Sequence, residues 1–258
     1  MPTIQSNGLW IRYEQEGEPT QPTVLLVHGF ASSARDNWIE TGWTKALREA
    51  GRRVVYLDCR GHGRSEKPHD PAAYTLDLMA ADVEELLRYA NARVVDLFGY
   101  SMGARISLHL LTRGKATRVR SAILGGVGER TLGPRRDAAA IADALAAPDA
   151  SKVENAVART FREFAESRGN DLLALSAVSR AQPHPLDREA LARVQTPVLV
   201  VAGTKDALVG SPQALAAAFP HGRAETIPDA DHLTAVAHPR FKELVLGYLA
   251  GIDAALKG

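Results

Sequence analysis

The chain is short of several things, and each shortage narrows what it can be. It has one cysteine, Cys59, so no intramolecular disulfide can form and a thiol-reducing compartment is expected. It has no excess of either charge. The 31 Lys+Arg against 30 Asp+Glu leave a net charge of +1, which gives no electrostatic reason to expect nucleic acid or an anionic membrane as partner. No apolar run approaches the ~18 residues that span a bilayer. The opening MPTIQSNGLWIRYEQEG shows no basic stretch followed by an apolar one, so no secretory signal is visible and a cytoplasmic protein is expected. No two histidines stand at H-x-H or H-E-x-x-H spacing, so neither a metal nor another cofactor is expected. Internal repeats and low-complexity tracts are also lacking.

What is present is ordinary globular material: 258 residues, 45% hydrophobic and 24% charged. That length suits one large α/β domain with an inserted subdomain. LWIRYEQEG (9–17) alternates apolar with polar and reads as part of an opening strand pair at a half-buried antiparallel edge. TVLLVHG, RRVVYLD, ARVVDLFG, RSAILGG and PVLVVAG are continuous apolar runs instead, the pattern of strands covered on both faces. Amphipathic segments separate them, such as Val83, Leu86, Leu87 and Ala90 at helical spacing. Strands alternating with helices predict a mainly parallel sheet flanked by helices. AETIP (224–228) reads as a short last strand before a terminal helix that faces inward with Phe241, Leu244, Val245, Tyr248, Leu249 and Ile252.

The spacing breaks once. Between AILGG and PVLVV lie about 70 residues, far more than the dozen or so that a crossover needs. Within them Ala138, Ile141, Ala142 and Leu145 share one helical face; Val153, Ala156, Val157, Phe161, Phe164 and Ala165 share another; DLLALSAVSR is a third helix. Residues 129–191 are therefore expected to form a helical insertion, with 1–128 and 192–258 making the core domain.

Gly99-Tyr100-Ser101-Met102-Gly103 fits the G-x-S-x-G pattern of a nucleophile elbow. A serine on a sharp strand-to-helix turn needs small residues two places away on each side, because the backbones there approach closely. A structural turn is the alternative reading of those five residues. A serine hydroxyl also needs a base and an orienting acid. Of eight histidines, His232 in PDADHLTAVAHP follows the last short strand, where a loop can reach Ser101. His238 precedes a proline at a helix start, His109 lies within a helix, and His28 and His62 sit in tight loops that they would brace. His69, His184 and His221 fall in surface-type loops. Asp206, just past the PVLVVAG run, is the expected acid, with Asp229 as rival. Asp58 suits a structural turn held with Arg60 and Ser65, and Asp231 is too close to His232 to orient its ring. The backbone amides of Met102 and of Phe30, after His-Gly, are the expected oxyanion donors, each worth roughly 3 kcal/mol.

Taken together, VHGF, LDCRGHGRS, GYSMG, GTKD and DADH occur in order along essentially the whole chain, and the chain resembles the α/β-hydrolase superfamily. The resemblance implies a mostly parallel eight-stranded sheet, a helical cap at 129–191 after the sixth strand, and Ser101, Asp206 and His232 as nucleophile, acid and base. Haloalkane dehalogenases and epoxide hydrolases of that superfamily use an aspartate where this chain has Ser101, so a serine implies acyl transfer to water. The chain is similar to carboxylesterase-type and enol-lactonase-type members. Their implied reaction is hydrolysis of a small carboxylic ester, with a lactonase or a carbon–carbon bond hydrolase using the same triad as the alternative; a receptor that retains the triad is the third reading. Phe30, Trp38, Phe161 and Phe164 are candidate substrate contacts, and Leu172 and Leu175 further candidates. Arg135, Arg136 and Arg180 could meet an acidic substrate. The expected partner is a small acyl substrate, and the expected assembly a monomer or small homo-oligomer.

Overall fold

The computed structural model describes residues 2–113, 117–134, 137–181 and 187–256. Its strands are β1 (Thr3–Ser6), β2 (Leu9–Glu16), β3 (Thr23–Val27), β4 (Arg53–Leu57), β5 (Val95–Tyr100), β6 (Val119–Gly125), β7 (Val198–Gly203) and β8 (Gly222–Ile227). They form one sheet in the order β1-β2-β4-β3-β5-β6-β7-β8. β2 is antiparallel to both β1 and β4, and every other pairing is parallel. The helices are α1 (Trp43–Glu49), α2 (Leu76–Tyr89), α3 (Met102–Thr112), α4 (Ala138–Ala146), α5 (Ala156–Ser167), α6 (Leu172–Arg180), α7 (Arg188–Ala192), α8 (Pro212–Ala216) and α9 (Pro239–Ala255).

The continuous apolar runs are the central strands because both sheet faces are covered. Neighbouring residues point to opposite faces. Val24, Leu26, Val54, Tyr56 and Phe98 meet Trp38, Trp43 and the α9 residues Phe241, Val245 and Leu249 on one side. Leu25, Val27, Val55, Leu57 and Leu97 meet the α2 and α3 residues Val83, Leu86, Ile106 and Leu108 on the other.

The N-terminal alternation is not an edge in β2. β1 takes the edge, and β2 lies between β1 and β4. Arg12, on the face expected to meet solvent, is accordingly buried; its guanidinium bonds the Tyr13 carbonyl and the Glu14 carboxylate.

Between β6 and β7 the chain builds a helical segment with its own contacts. α4 and α6 lie together, with Ser176 and Ser179 donating from α6 to the carbonyls of Ala142 and Ala138, each at 2.8 Å. The buried face of α5 is Ala158, Arg162 and Ala165, one position round from the expected face. The cause is Arg162. Its Nη1 donates to the carbonyls of Ala144, Leu145 and Ala147 at 2.7–3.0 Å, filling acceptors that the end of α4 leaves open. Phe161 and Phe164 are left half-buried. No described helix is long and apolar enough to cross a membrane.

Candidate active site

The chain leaves β3 for β4 on one side of the sheet and returns to β5 on the other. A crevice opens beyond the strand ends at such a reversal. The loops after β3, β5, β7 and β8 meet there.

Ser101 directly follows β5 and precedes α3, with φ 52° and ψ −109°. A non-glycine residue adopts such angles only when its surroundings enforce them. The enforcement is visible on both sides. A Cβ on Gly103 would run into the backbone carbonyl of Val27, and one on Gly99 into the backbone of Gly103 and Ala104. Neither obstacle is a side chain that could swing away, so both positions require glycine. The turn holds Oγ at the mouth of the crevice. It also presents the Met102 amide, one of the first-turn N–H groups that a helix leaves without an intrahelical acceptor.

His232 Nε2 lies 2.8 Å from Ser101 Oγ, and His232 Nδ1 lies 2.7 Å from Asp206 Oδ2. The Asp206 side chain is fully buried and that of His232 is 12% exposed. Asp206 is fixed at its other oxygen by the Leu208 amide at 3.1 Å. An Nδ1–H donated to the carboxylate leaves the Nε2 lone pair to accept from the serine hydroxyl. Tyr100 adds a contact that the sequence does not announce: its hydroxyl donates to the His232 carbonyl at 2.6 Å. Burial holds that phenol well above its usual pKa, so it serves as a donor.

The loop after β3 is braced from two directions. From the core, Asn37 Oδ1 accepts from the Gly29 amide at 2.7 Å, and Asp58 Oδ1 accepts from the Ala34 amide at 2.8 Å. From the insertion, Asn170 Nδ2 donates to the Ala31 carbonyl at 2.9 Å, and Arg168 reaches Asp36 and Glu40. Ala31 itself sits at φ 56°, a strained conformation for a residue with a Cβ. Phe30 is buried, with its ring 5.8 Å from both His62 and Phe161.

The other histidines fall elsewhere. His28 donates from Nδ1 to the Gly29 carbonyl and accepts at Nε2 from the Cys59 amide, so both nitrogens are engaged in bracing. His62 donates to the Arg60 carbonyl and packs 5.2 Å from His28; burial drives its pKa down to about 3. His238 caps α9 by accepting from the Arg240 amide. His109 and His69 face Asp77 and Asp171 at the surface, and His221 is exposed. His184 lies outside the described residues. Among the carboxylates, Asp229 pairs with Lys205, and Asp231 accepts from Leu233 and Thr234, bonds that hold it below its usual pKa. Asp58 holds its turn through Ala34 and Arg64, and Ser65 donates to the Asp58 carbonyl. Arg60 takes no part in that turn: it pairs with buried Asp82 at 2.7 Å instead.

Ser101 and His232 open into a cavity of about 650 Å³ whose apolar wall includes Val127, Ile141, Val157, Phe161 and Val209. Of the aromatic candidates, Phe161 lines it. Trp38 does not: it is fully buried on the opposite face of the sheet, 5.0 Å from Phe98. It is core because the π-helical turn Arg35–Ile39 points it inward against β5. Trp43 shares that position. Phe164 faces Arg168, whose guanidinium lies 5.6 Å over its ring. Leu175 is fully buried and Leu172 half-buried in the core cluster, away from the cavity wall. Arg180 pairs with Asp143, and Arg135 and Arg136 lie outside the described residues. The arginines that line the cavity are Arg105 and Arg130, neither of them among the arginines expected from the sequence. Helical spacing places Arg105, four residues on, one turn past Ser101, but only the folded chain shows which face of α3 meets the cavity. Among the described residues, no group of three His, Cys, Asp or Glu side chains is placed to hold a metal ion.

Comparison with known proteins adds a family frame. The profile of the alpha/beta hydrolase fold matches residues 22–185. Epoxide hydrolase 4 of Mus musculus is 35% identical over 106 residues, 40% of this chain and 28% of that protein. The chain covers 28%, 47% and 30% of the length of three curated relatives that it matches. Among solved structures, a carboxylesterase of Nitrososphaera gargenis superposes with TM-score 0.78 at 18% identity, covering 98% of this chain and 100% of that one. The enol-lactonase of Burkholderia xenovorans LB400 superposes with TM-score 0.75 at 23% identity, covering 96% and 100%. At such identities the likeness is one of fold.

Proposed function

The chain belongs to the α/β hydrolase fold family, and from that premise we propose that it is a serine hydrolase of small carboxylic esters. In this reading Ser101 is the nucleophile, His232 the general base and acid, and Asp206 the acid that orients His232. Residues 129–191 act as a cap over the site.

The observation that carries the reading is the line of two hydrogen bonds, 2.8 Å from Ser101 Oγ to His232 Nε2 and 2.7 Å from His232 Nδ1 to Asp206 Oδ2, at a serine in a strained turn. Ser101 Oγ attacks the ester carbon while its proton passes to Nε2. The carbonyl oxygen becomes an oxyanion and accepts from the backbone N–H groups of Met102 and Phe30. Collapse breaks the bond to the alcohol oxygen, which leaves with the proton held on Nε2. Water then gives a proton to Nε2 and attacks the acyl carbon. The second collapse frees the carboxylic acid and returns the proton to Ser101. The balance is ester plus water to acid plus alcohol, and a lactone, as a cyclic ester, follows the same steps. The family resemblance supports acyl chemistry in particular, since a serine stands where epoxide hydrolases are expected to carry an aspartate.

A fluorophosphonate probe tests the assignment. The wild-type chain is expected to be labelled at Ser101 and to turn over short esters, and Ser101→Ala to lose both while keeping its melting temperature. Labelling that persisted in the alanine variant would place the nucleophile elsewhere.

A further inference from the structure

We propose that the chain pairs with a second copy of itself along β8, antiparallel and in one register, with the two-fold axis at Ala224. β8 is bonded to β7 on one side, and among the described residues no strand follows it on the other. Folded proteins blunt such an edge with a very short strand, a bulge, a proline or a lysine. β1, at the opposite edge, is four residues long. β8 is six residues long, reads GRAETI, and keeps an unbroken register with β7. None of those four devices is present in it. The charges that it does carry, Arg223 and Glu225, select a partner.

The backbone alternation fixes which groups a partner meets. The His221 carbonyl accepts from the Val198 amide at 3.1 Å, and the Ile227 carbonyl from the Thr204 amide at 2.9 Å, so odd-numbered residues of β8 face β7. The N–H and C=O of Ala224 and Thr226 then point away from the sheet, with the Gly222 carbonyl beside them. The Gly222 amide closes its own turn to Phe219 at 3.4 Å. An antiparallel partner bonds to these even-numbered residues, so its register can move only in steps of two. Arg223 and Glu225 are exposed and share one face. With Ala224 opposite its own copy, Arg223 of each chain lies opposite Glu225 of the other, and Gly222 opposite Thr226. Moving the axis to Arg223 sets arginine against arginine, and moving it to Glu225 sets glutamate against glutamate. Like charges directly opposite destabilise a strand pair, whereas opposite charges support it. One register is thereby chosen, and it is self-complementary, as a two-fold contact must be. The two sheets run antiparallel across the join, so the Ser101 crevices, beyond the C-terminal strand ends, open at opposite ends.

Sedimentation velocity over a concentration series tests the pairing. The wild-type chain is expected to dimerise in the micromolar range, with added salt weakening the dimer. Arg223→Glu and Glu225→Arg each set like charges opposite one another and should raise the dimer Kd by about tenfold or more. The double variant R223E/E225R exchanges the two charges and should regain the wild-type Kd. An equimolar mixture of the two single variants should dimerise where neither does alone, because each supplies the charge that the other lacks. Both positions are exposed, so melting temperatures should match the wild type. A wild-type chain that stays monomeric at millimolar concentration would overturn the inference. So would a dimer that the single exchanges leave unchanged, or one that the double exchange fails to restore. Fluorophosphonate labelling of Ser101 should be equal in all four proteins and reports on the hydrolase reading separately.

Discussion

The Asp206 carboxylate is fully buried and bonds the His232 ring. If it orients that ring as proposed, Asp206→Asn keeps the shape but replaces an acceptor by an amide that can hold the opposite tautomer. By analogy with other triads, kcat for a short ester is expected to fall by about four orders of magnitude, with the far-UV spectrum unchanged. Steady-state kinetics decides the matter: near-wild-type kcat would remove Asp206 from the machinery. Tyr100 works at the same scale. Its hydroxyl supports the His232 backbone across 132 positions of sequence. Nothing adjacent in the chain signals that partner.

At the scale of elements, the turn between α5 and α6 governs the loop after β3. Asn170 holds the Ala31 carbonyl at 2.9 Å, and Ala31 is strained at φ 56°. Removing that donor releases the loop that carries the Phe30 amide. If the Phe30 amide is an oxyanion donor as proposed, Asn170→Ala is expected to lower kcat by about tenfold with little change in KM, since such a donor acts in the transition state and not on bound substrate. An equal loss in binding and turnover, or no loss, would show that the turn merely packs. The helical spacing of α5 was legible in the sequence, but its inward face was not. Amphipathic counting assigns an arginine to solvent, whereas Arg162 turns inward because the end of α4 offers three carbonyls to it.

For the molecule as a whole, acid stability follows from two buried imidazoles. Burial lowers the pKa of His28, and takes that of His62 to about 3, against ~6.5 in an unfolded chain. Between those values the unfolded state binds protons that the folded state refuses, so stability rises with pH there and is lost as pH falls below ~6.5. At pH 5 His62 alone accounts for about 2 kcal/mol of that loss. Thermal melts from pH 7 to pH 4 should show a steep decline that is shallower in His62→Gln. Equal slopes in the two proteins would mean that His62 is protonated in the folded state.

Much of the architecture is already in the chain. Five continuous apolar runs require strands covered on both faces, and the long gap after AILGG requires an insertion, because burial and local backbone preference are properties of short segments. The same holds for the elbow: GYSMG sets a serine between two glycines, and the reason is local, since Cβ atoms there would strike backbone. The sequence also names Asp206 and His232, because each follows a strand end and chain order limits the choice. Tertiary structure decided the rest. It put Trp38 on the far face of the sheet, moved β2 off the edge, gave Tyr100 and Asn170 their acceptors, and turned Arg105 and Arg130 toward one cavity. Each of these depends on which surfaces meet across the fold, and distance along the chain carries no information about that.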